Sequence, residues 1–391
     1  MAREQVPVGL LAFSAGTIVA NICYAQPLLA EMARVFGVSV SGIGFVAMLS
    51  QTGTATGMFL FVPLGDNRER RGLITLLLGA AFVSLCAMAA AKNILWLEMA
   101  SFAVGATAST VHVIVPLAAQ LAPEAKRGKV VGTVLSGLLL GILLARTFSG
   151  FAAGLFGWRA VYWIAAAAML ILALLLRMRL PECPPQHSLS WIALIRSIGH
   201  LVRKYRALRE SALLGAAFFC AFSAFWTTLA FLLQTPPYHY GPPVAGLFGL
   251  VGAAGALCAP FAGHVTDRRG PRFTILAALL LTLASFVLLA AFGTSLAGLI
   301  AGVILLDLGV QAGHVANQTR IYAIDPAARS RLNTVYMFMY FAGGSLGSYG
   351  GAIAWAHWGW IGVCTMAIAV LGCASGAYLA FGIRGPQAQK L

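Results

Sequence analysis

The chain has 391 residues, of which 60% are hydrophobic and only 9% charged, with a mean hydropathy of +0.86. An ordinary soluble domain is about 25% charged, so this composition excludes a water-soluble globule and makes lipid the solvent. The net charge of +15 does not point to nucleic acid, because Lys and Arg lie in short gaps between apolar runs and not on one folded face.

Backbone groups in hydrocarbon must be satisfied internally, and a helix needs about 20 apolar residues to cross. Residues 5–30, 35–65, 72–91 and 99–123 each predict one crossing. Residues 130–158, interrupted by Arg146, predict a fifth, and 160–176 a sixth. The uncharged stretch 211–266 is too long for one helix and is broken by TPPYHYGPP (235–243), whose prolines make a turn. Residues 273–320 break near Gly293-Thr294-Ser295, and 332–383 break at Gly359. The fold class expected is therefore an all-α integral membrane protein with twelve transmembrane helices. Residues 5–30 are too long for a signal-peptide core and carry no cleavage site, so they count as the first helix.

With the N-terminus in the cytoplasm, only Arg34, Lys92 and Arg159 fall in outer loops, while Arg146 and Arg320 lie inside helices. The positive-inside rule thus places both termini in the cytoplasm of an inner-membrane protein. Between the sixth and seventh helices, the basic segment 177–210 carries an apolar stripe of Trp191, Leu194, Ile195, Ile198, Leu201, Val202, Tyr205 and Leu208. Arg196, His200 and Arg203 oppose it, as in an amphipathic helix lying along the inner leaflet. Of the seven cysteines, six (Cys23, Cys86, Cys220, Cys258, Cys364 and Cys373) sit in apolar runs, so they read as small buried residues and not as a disulfide or zinc framework.

The second half repeats the first at an offset of roughly 200 residues. Asp66 recurs as Asp267, His112-Val113 as His314-Val315, Thr133-Val134 as Thr334-Val335, and Gly157-Trp158 as Gly359-Trp360. The implied organisation is two pseudo-symmetric six-helix halves running parallel, 1–176 and 211–391, joined by the linker 177–210.

The loop GHVTDRRGPR (263–272) has the form Gly-x-x-x-Asp-Arg-x-Gly-x-Arg, and its first-half counterpart VPLGDNRERR (62–71) keeps Asp66, Arg70 and Arg71 but has Val62 and Glu69 in place of glycine. On these loops the chain resembles the major facilitator superfamily along essentially its whole length. The string NICYAQPLL (21–29) and the region of helices 10 and 11 resemble the twelve-helix bacterial drug–proton antiporters. That resemblance implies cytoplasmic latch residues at Asp66, Arg70, Arg71, Gly263, Asp267, Arg268, Gly270 and Arg272. It also implies a monomer with no cofactor. Two positions depart from the antiporter pattern: Ser101 stands where the helix-4 arginine is expected, and Arg146 replaces the proline of the helix-5 motif.

Charge buried in a bilayer costs several kcal/mol, roughly 3 by insertion scales, and normally faces a cavity or a partner. Counted along their helices, Asp307 and Arg146 both lie about 16 Å deep, near the midplane. The two are expected to meet, with Asp307 as the protonatable group and Arg146 tuning it; a fixed structural pair is the alternative. Gln311, His314 and Gln318 extend Asp307 into a polar stripe at i+4, i+7 and i+11, and His314 is a second candidate proton carrier. Helix 4 offers Glu98, Ser101, Gly105, Ser109, His112 and Pro116 at similar spacing, with Glu98 nearer the outer rim. Arg320, at the cytoplasmic end of helix 10, is expected to snorkel.

Ser14, Thr17, Asn21 and Tyr24 on helix 1, and Asn333, Tyr336 and Tyr340 on helix 11, look cavity-lining. Phe218, Phe222, Phe225 and Trp226 give helix 7 an aromatic face able to stack an amphipathic organic molecule. Glycines 137 and 141, 246 to 255 and 343 to 351 read as close helix interfaces.

No phosphate-cradling loop, metal cluster or nucleophile–base pair appears, which disfavours ATP-driven pumping and catalysis. The function expected is proton-coupled efflux of a small organic molecule by alternating access. Proton symport and passive facilitation remain open, and a non-transporting receptor or a membrane enzyme is the more distant class.

Overall fold

The computed structural model describes residues 7–183, 191–256, 259–325 and 328–382, and Cys258 lies outside them. Every regular element among these residues is helical. The elements are α1 (Val8–Cys23), a 3-10 turn (Gln26–Leu28), α2 (Leu29–Phe36), α3 (Val40–Asn67), α4 (Arg70–Ala89), α5 (Ile94–Ala108) and α6 (Val111–Leu121). After a second short turn come α7 (Arg127–Phe156), α8 (Trp158–Arg179), α9 (Trp191–Lys204), α10 (Arg206–Gln234), α11 (Pro242–Ala256) and α12 (Ala259–Arg269). The chain ends with α13 (Pro271–Phe292), α14 (Leu296–Tyr322) and α15 (Arg329–Gly382).

Among the described residues, ten helical spans are long and apolar enough to cross a bilayer, counting α1 with α2 and α5 with α6 as one each. The last of them, α15, is 54 residues long with non-helical geometry at Gly359. At 1.5 Å per residue it reaches about 80 Å, enough for two crossings. The shorter apolar helix α11 leads toward α12. The architecture is consistent with twelve crossings.

Two helices expected to be continuous are interrupted. Pro27 has no N–H to donate, and α1 gives way to a 3-10 turn at Gln26–Leu28 before α2 resumes. Between α5 and α6 the bonding tightens to i→i−3: Thr110 N donates to Thr107 O and Val113 N to Thr110 O. The Ser109 and Thr110 hydroxyls also turn back onto Ala106 O and Thr107 O.

The chain divides into two compact units, one formed by Met1–Leu194 with Leu229–Leu250, the other by Ile195–Thr228 with Val251–Leu391. In the first unit, α1 crosses α7 so closely that a side chain at Gly141 would meet the backbone of Gly16. In the second, the matching helices α10 and α15 do the same, where Gly347 meets the backbone of Cys220. The α3–α5 and α4–α8 packing of the first unit is likewise paralleled by α12–α14 and α13–α15 in the second. The duplication legible in the sequence thus recurs as repeated helix pairings.

Small residues set these contacts because lipid gives helices little hydrophobic reason to associate, so close van der Waals approach must do it. Gly141→Leu is expected to lower stability by about 1–3 kcal/mol, read as a melting temperature lower by several degrees for the purified protein. Gly79→Leu, at a position where a Cβ meets nothing within 4 Å, is the control and should leave it unchanged.

Candidate functional site

Asp307 sits in the middle of α14, only 5% exposed. Room for its carboxylate comes from two glycines of the second unit. A Cβ at Gly252 would fall 3.1 Å from Asp307 Oδ2 and 3.0 Å from the Trp226 ring, and one at Gly255 would fall 2.7 Å from Asp307 Cβ. An acid and an indole therefore converge where α11 packs on α14.

One turn-spaced face of α14 continues from there. His314 Nδ1 lies 3.1 Å from the Tyr336 hydroxyl, and its ring packs on Tyr340 with centroids 4.8 Å apart. Gln318 donates from Nε2 to Asn333 Oδ1 at 3.3 Å, and the Tyr322 hydroxyl donates to the same oxygen at 3.0 Å. Gln311 and His314 are both half-buried.

The aromatic face of α10 differs from expectation in one member. Phe218 is consumed in packing, lying where a side chain at Gly313 would be. Phe219 takes its place: it stacks on Tyr340 at 4.1 Å and on Phe222 at 5.5 Å. Phe222 in turn contacts Trp226 at 6.0 Å, and Trp226 meets Phe225 edge-on at 5.4 Å. The spacing 219, 222, 226 is itself a helical face, so the signal was present but 218 satisfied the same pattern.

In the first unit, Arg146 on α7 is 3% exposed. Its Nε donates to Gln26 Oε1 at 2.6 Å and its Nη1 to Ile142 O at 3.4 Å. Gln26 reaches it because the proline-induced break between α1 and α2 turns that side chain inward, a role not read from the sequence. Asn21 is buried and donates to Met169 Sδ at 3.4 Å, while its Oδ1 has no hydrogen-bond partner. Tyr24, also buried, packs on Phe148 at 5.8 Å, and His112 is half-buried at the start of α6. Ser101, where arginine was expected, donates to Val46 O at 2.7 Å and so ties α5 to α3. Asp307 and Arg146 belong to different units.

The two repeated loops are built differently. Gly270 holds φ +83° and ψ 157°, open only to glycine, between the end of α12 and Pro271 at the start of α13. Its counterpart Glu69 has φ −60° and ψ 118°, ordinary extended geometry, and caps α4. The Glu69 carboxylate accepts from the N–H groups of Arg71 (2.8 Å), Gly72 (2.6 Å) and Cys183 (3.2 Å). Arg71 pairs with Glu182 and donates to Leu180 O, while Arg70 donates to Gly65 O and Gln120 Oε1. These bonds hold the loop to residues 180–183 within the first unit. The side chain of Asp66 lies outside the described residues, as do those of Trp191, Leu194 and Ile195. Asp267, Arg268 and Arg272 are exposed, whereas Gly263 and Gly270 are half-buried.

Arg320 does not snorkel. Its Nη2 lies 2.6 Å from Glu210 Oε2, Nη1 donates to Ser211 Oγ at 3.4 Å, and the guanidinium lies 5.7 Å from the Tyr378 ring centroid. A half-buried carboxylate on the fifth residue of α10 is already within its reach.

An apolar multi-helix chain of two repeated units with polar groups lodged inside is the class of membrane transporters. Residues 8–348 match the family description Major Facilitator Superfamily, and the chain belongs to that superfamily. A putative uncharacterized transporter of Escherichia coli K12, YgaY, is 44% identical over 91% of this chain and 90% of its own length. A probable transporter of Streptomyces coelicolor is 36% identical over 94% and 85%. Among solved structures, the nucleoside transporter NupG aligns with a TM-score of 0.79 at 14% identity, covering 95% of this chain and 98% of that one. A bacterial homologue of the human lysosomal transporter Spinster aligns at 0.72 and 17%, covering 98% and 95%. The protein is a multi-pass membrane transporter and not an enzyme.

Although burial pushes the Glu69 carboxyl up, its backbone N–H donors and the Arg71 guanidinium hold it below the ordinary carboxylate value of 4.5. A depressed folded-state value stabilises above that pH and fades as pH falls through the lower one. Glu69→Ala is therefore expected to cost about 1 kcal/mol at neutral pH. The gap in melting temperature between it and the native protein should close on acidification below pH 4.5.

Proposed function

We propose that the protein is a proton-coupled secondary transporter that exports a small organic molecule across the cytoplasmic membrane by alternating access. The observation that carries this reading is the acidic side chain of Asp307, buried in the centre of α14. A buried acid costs several kcal/mol in hydrocarbon, and glycines at 252 and 255 keep space for it beside an aromatic wall. A carboxylate in such a place changes its proton occupancy when a neighbouring molecule arrives or leaves.

In this reading Asp307, Arg146 and His314 form the proton-coupling set, with Asp307 as the proton carrier and His314 as a second one. Phe222, Trp226, Tyr336, Tyr340, Gln311 and Gln318 contact substrate from the second unit, and Asn21, Tyr24 and His112 from the first. The basic loops gate the cytoplasmic side through Asp66, Arg70, Arg71, Gly263, Asp267, Arg268, Gly270 and Arg272. Two six-helix bundles, 1–176 and 211–391, rock about the linker 177–210, with both termini in the cytoplasm and the monomer as the working form. Efflux is supported by a partial likeness to the multidrug resistance efflux pump PmrA of Streptococcus pneumoniae, 28% identical over 40% of both chains. Proton symport or passive facilitation is the second reading, favoured by Arg146 in place of the antiporter proline.

Reconstituted vesicles exposed to cationic, neutral and anionic aromatic dyes, with and without a pH gradient, test the proposal. A gradient should drive accumulation of at least one dye class by the native protein, and Asp307→Asn should abolish the gradient dependence. Accumulation indifferent to the gradient for every dye rejects proton coupling, and coupled uptake by Asp307→Asn rejects Asp307 as the coupling group.

A further inference from the structure

The polar groups on α14 and α15 do not stop at Asp307. They continue toward the basic end of the second unit, one hydrogen-bonding side chain per turn on each of two antiparallel helices. Seven residues on from Asp307 along α14, the His314 ring packs on Tyr340, and its Nδ1 lies 3.1 Å from the Tyr336 hydroxyl. Beyond it, Gln318 and Tyr322 both donate to Asn333 Oδ1, and Arg329 at the N-terminal end of α15 donates from Nε to Tyr322 O at 3.1 Å. From Asp307 to Tyr322 is fifteen residues of helix, about 22 Å, or the distance from bilayer midplane to headgroups. The neighbouring α13–α14 seam closes differently: Thr282 bonds back to its own helix at Ala278 O, and Leu289 fills the space at Gly302. Packing alone therefore does not demand the polar ladder.

We propose that the α14–α15 seam is a proton relay joining Asp307 to the basic end of the unit, with His314 as its titrating member and Tyr336 as the residue that feeds it. This rests on Asp307 being the proton-carrying group. In the inward transfer the Tyr336 hydroxyl gives its proton to His314 Nδ1 as it accepts one from a water entering from the basic end, which is itself reprotonated from the aqueous phase, so no phenolate accumulates; Gln318, Asn333 and Tyr322 position that water and carry no proton themselves. His314 then releases the proton on Nε2 through Tyr340 or an intervening water to the Asp307 carboxylate. One proton leaves the aqueous phase and one O–H bond forms on Asp307. The reverse transfer restores the original tautomer. The groups facing His314 within the unit suit this step: Tyr336 and Tyr340 come from α15, and the nearest α10 side chain behind Gly313 is the uncharged Phe218. On α14 itself the charged groups are Asp307 and Arg320, and Arg320 is engaged by Glu210.

The test needs no substrate. Trp226 and Asp307 flank the same glycine, so Trp226 emission reports the charge on Asp307 after a rapid pH jump, and Trp226→Phe gives the background from the other tryptophans. The native protein should show a Trp226-dependent transition with a solvent deuterium isotope effect on its rate, and Asp307→Asn should lose its amplitude. Tyr336→Phe, which removes only a hydroxyl, and His314→Asn should each keep the amplitude and slow the transition by roughly 100-fold. Gln318→Leu should slow it as well, giving a readout if either of the others fails to fold. Native rates in all folded variants, with the amplitude still lost in Asp307→Asn, overturn the relay alone. Persistence of the amplitude in Asp307→Asn overturns both the relay and the reading of Asp307 on which it rests.

Discussion

The structure is governed by the expense of keeping ionised groups away from water. With 9% of residues charged, the chain could have excluded charge from its helices altogether, yet charges remain inside them, and Arg146, Arg320 and Asp307 each have furnished surroundings. Arg146 rests on Gln26 and on a main-chain carbonyl of its own helix. Arg320 is neutralised by Glu210. Asp307 is given space by glycines and shares the gap at Gly252 with Trp226. A half-buried pair such as Arg320 and Glu210 ties two helices together, since removing one partner strands the other. An acid set among aromatic rings in a space left by glycines is a different arrangement, suited to a group whose charge changes.

Close helix approach is the second half of the same solution. Without an aqueous phase to drive association, helices hold together where backbones touch, and the same helix pairs use this device in both units: α1 with α7, α10 with α15. The glycines beside Asp307 serve packing and chemistry together, because the gap that lets α11 approach α14 also leaves room for the carboxylate.

How far this was legible in the sequence follows from which physical rule each feature obeys. Span positions, the two basic loops and the repeat obey rules of composition and period, and the helices and their paired contacts appear where those rules put them. Asp307 and its polar stripe were legible because a charge and a run of amides at helical spacing are rare inside apolar segments. Features that depend on rotation about a helix axis were not. Phe218 and Phe219 are adjacent and equally apolar, and only packing against Gly313 decides which of them faces Tyr340. Gln26 is an unremarkable side chain until Pro27 interrupts the helix and presents it to Arg146. Arg320 was expected at the headgroups because the sequence does not show that Glu210, on α10, lies within reach.

The two loops show how a duplicated element diverges through one residue. Where Gly270 makes a turn closed to other residues, Glu69 adopts extended geometry and supplies a carboxylate that caps α4 and accepts from Cys183. The substitution therefore changes more than a turn. With Arg71 bound to Leu180 and Glu182, and Arg70 to Gln120, the first loop is committed to residues of its own unit. The second leaves Asp267, Arg268 and Arg272 exposed and its glycine in place. One residue thus separates a loop bonded into its own unit from one whose charges face outward: glycine supplies only a turn, whereas glutamate supplies a turn, a helix cap and a tie to Cys183.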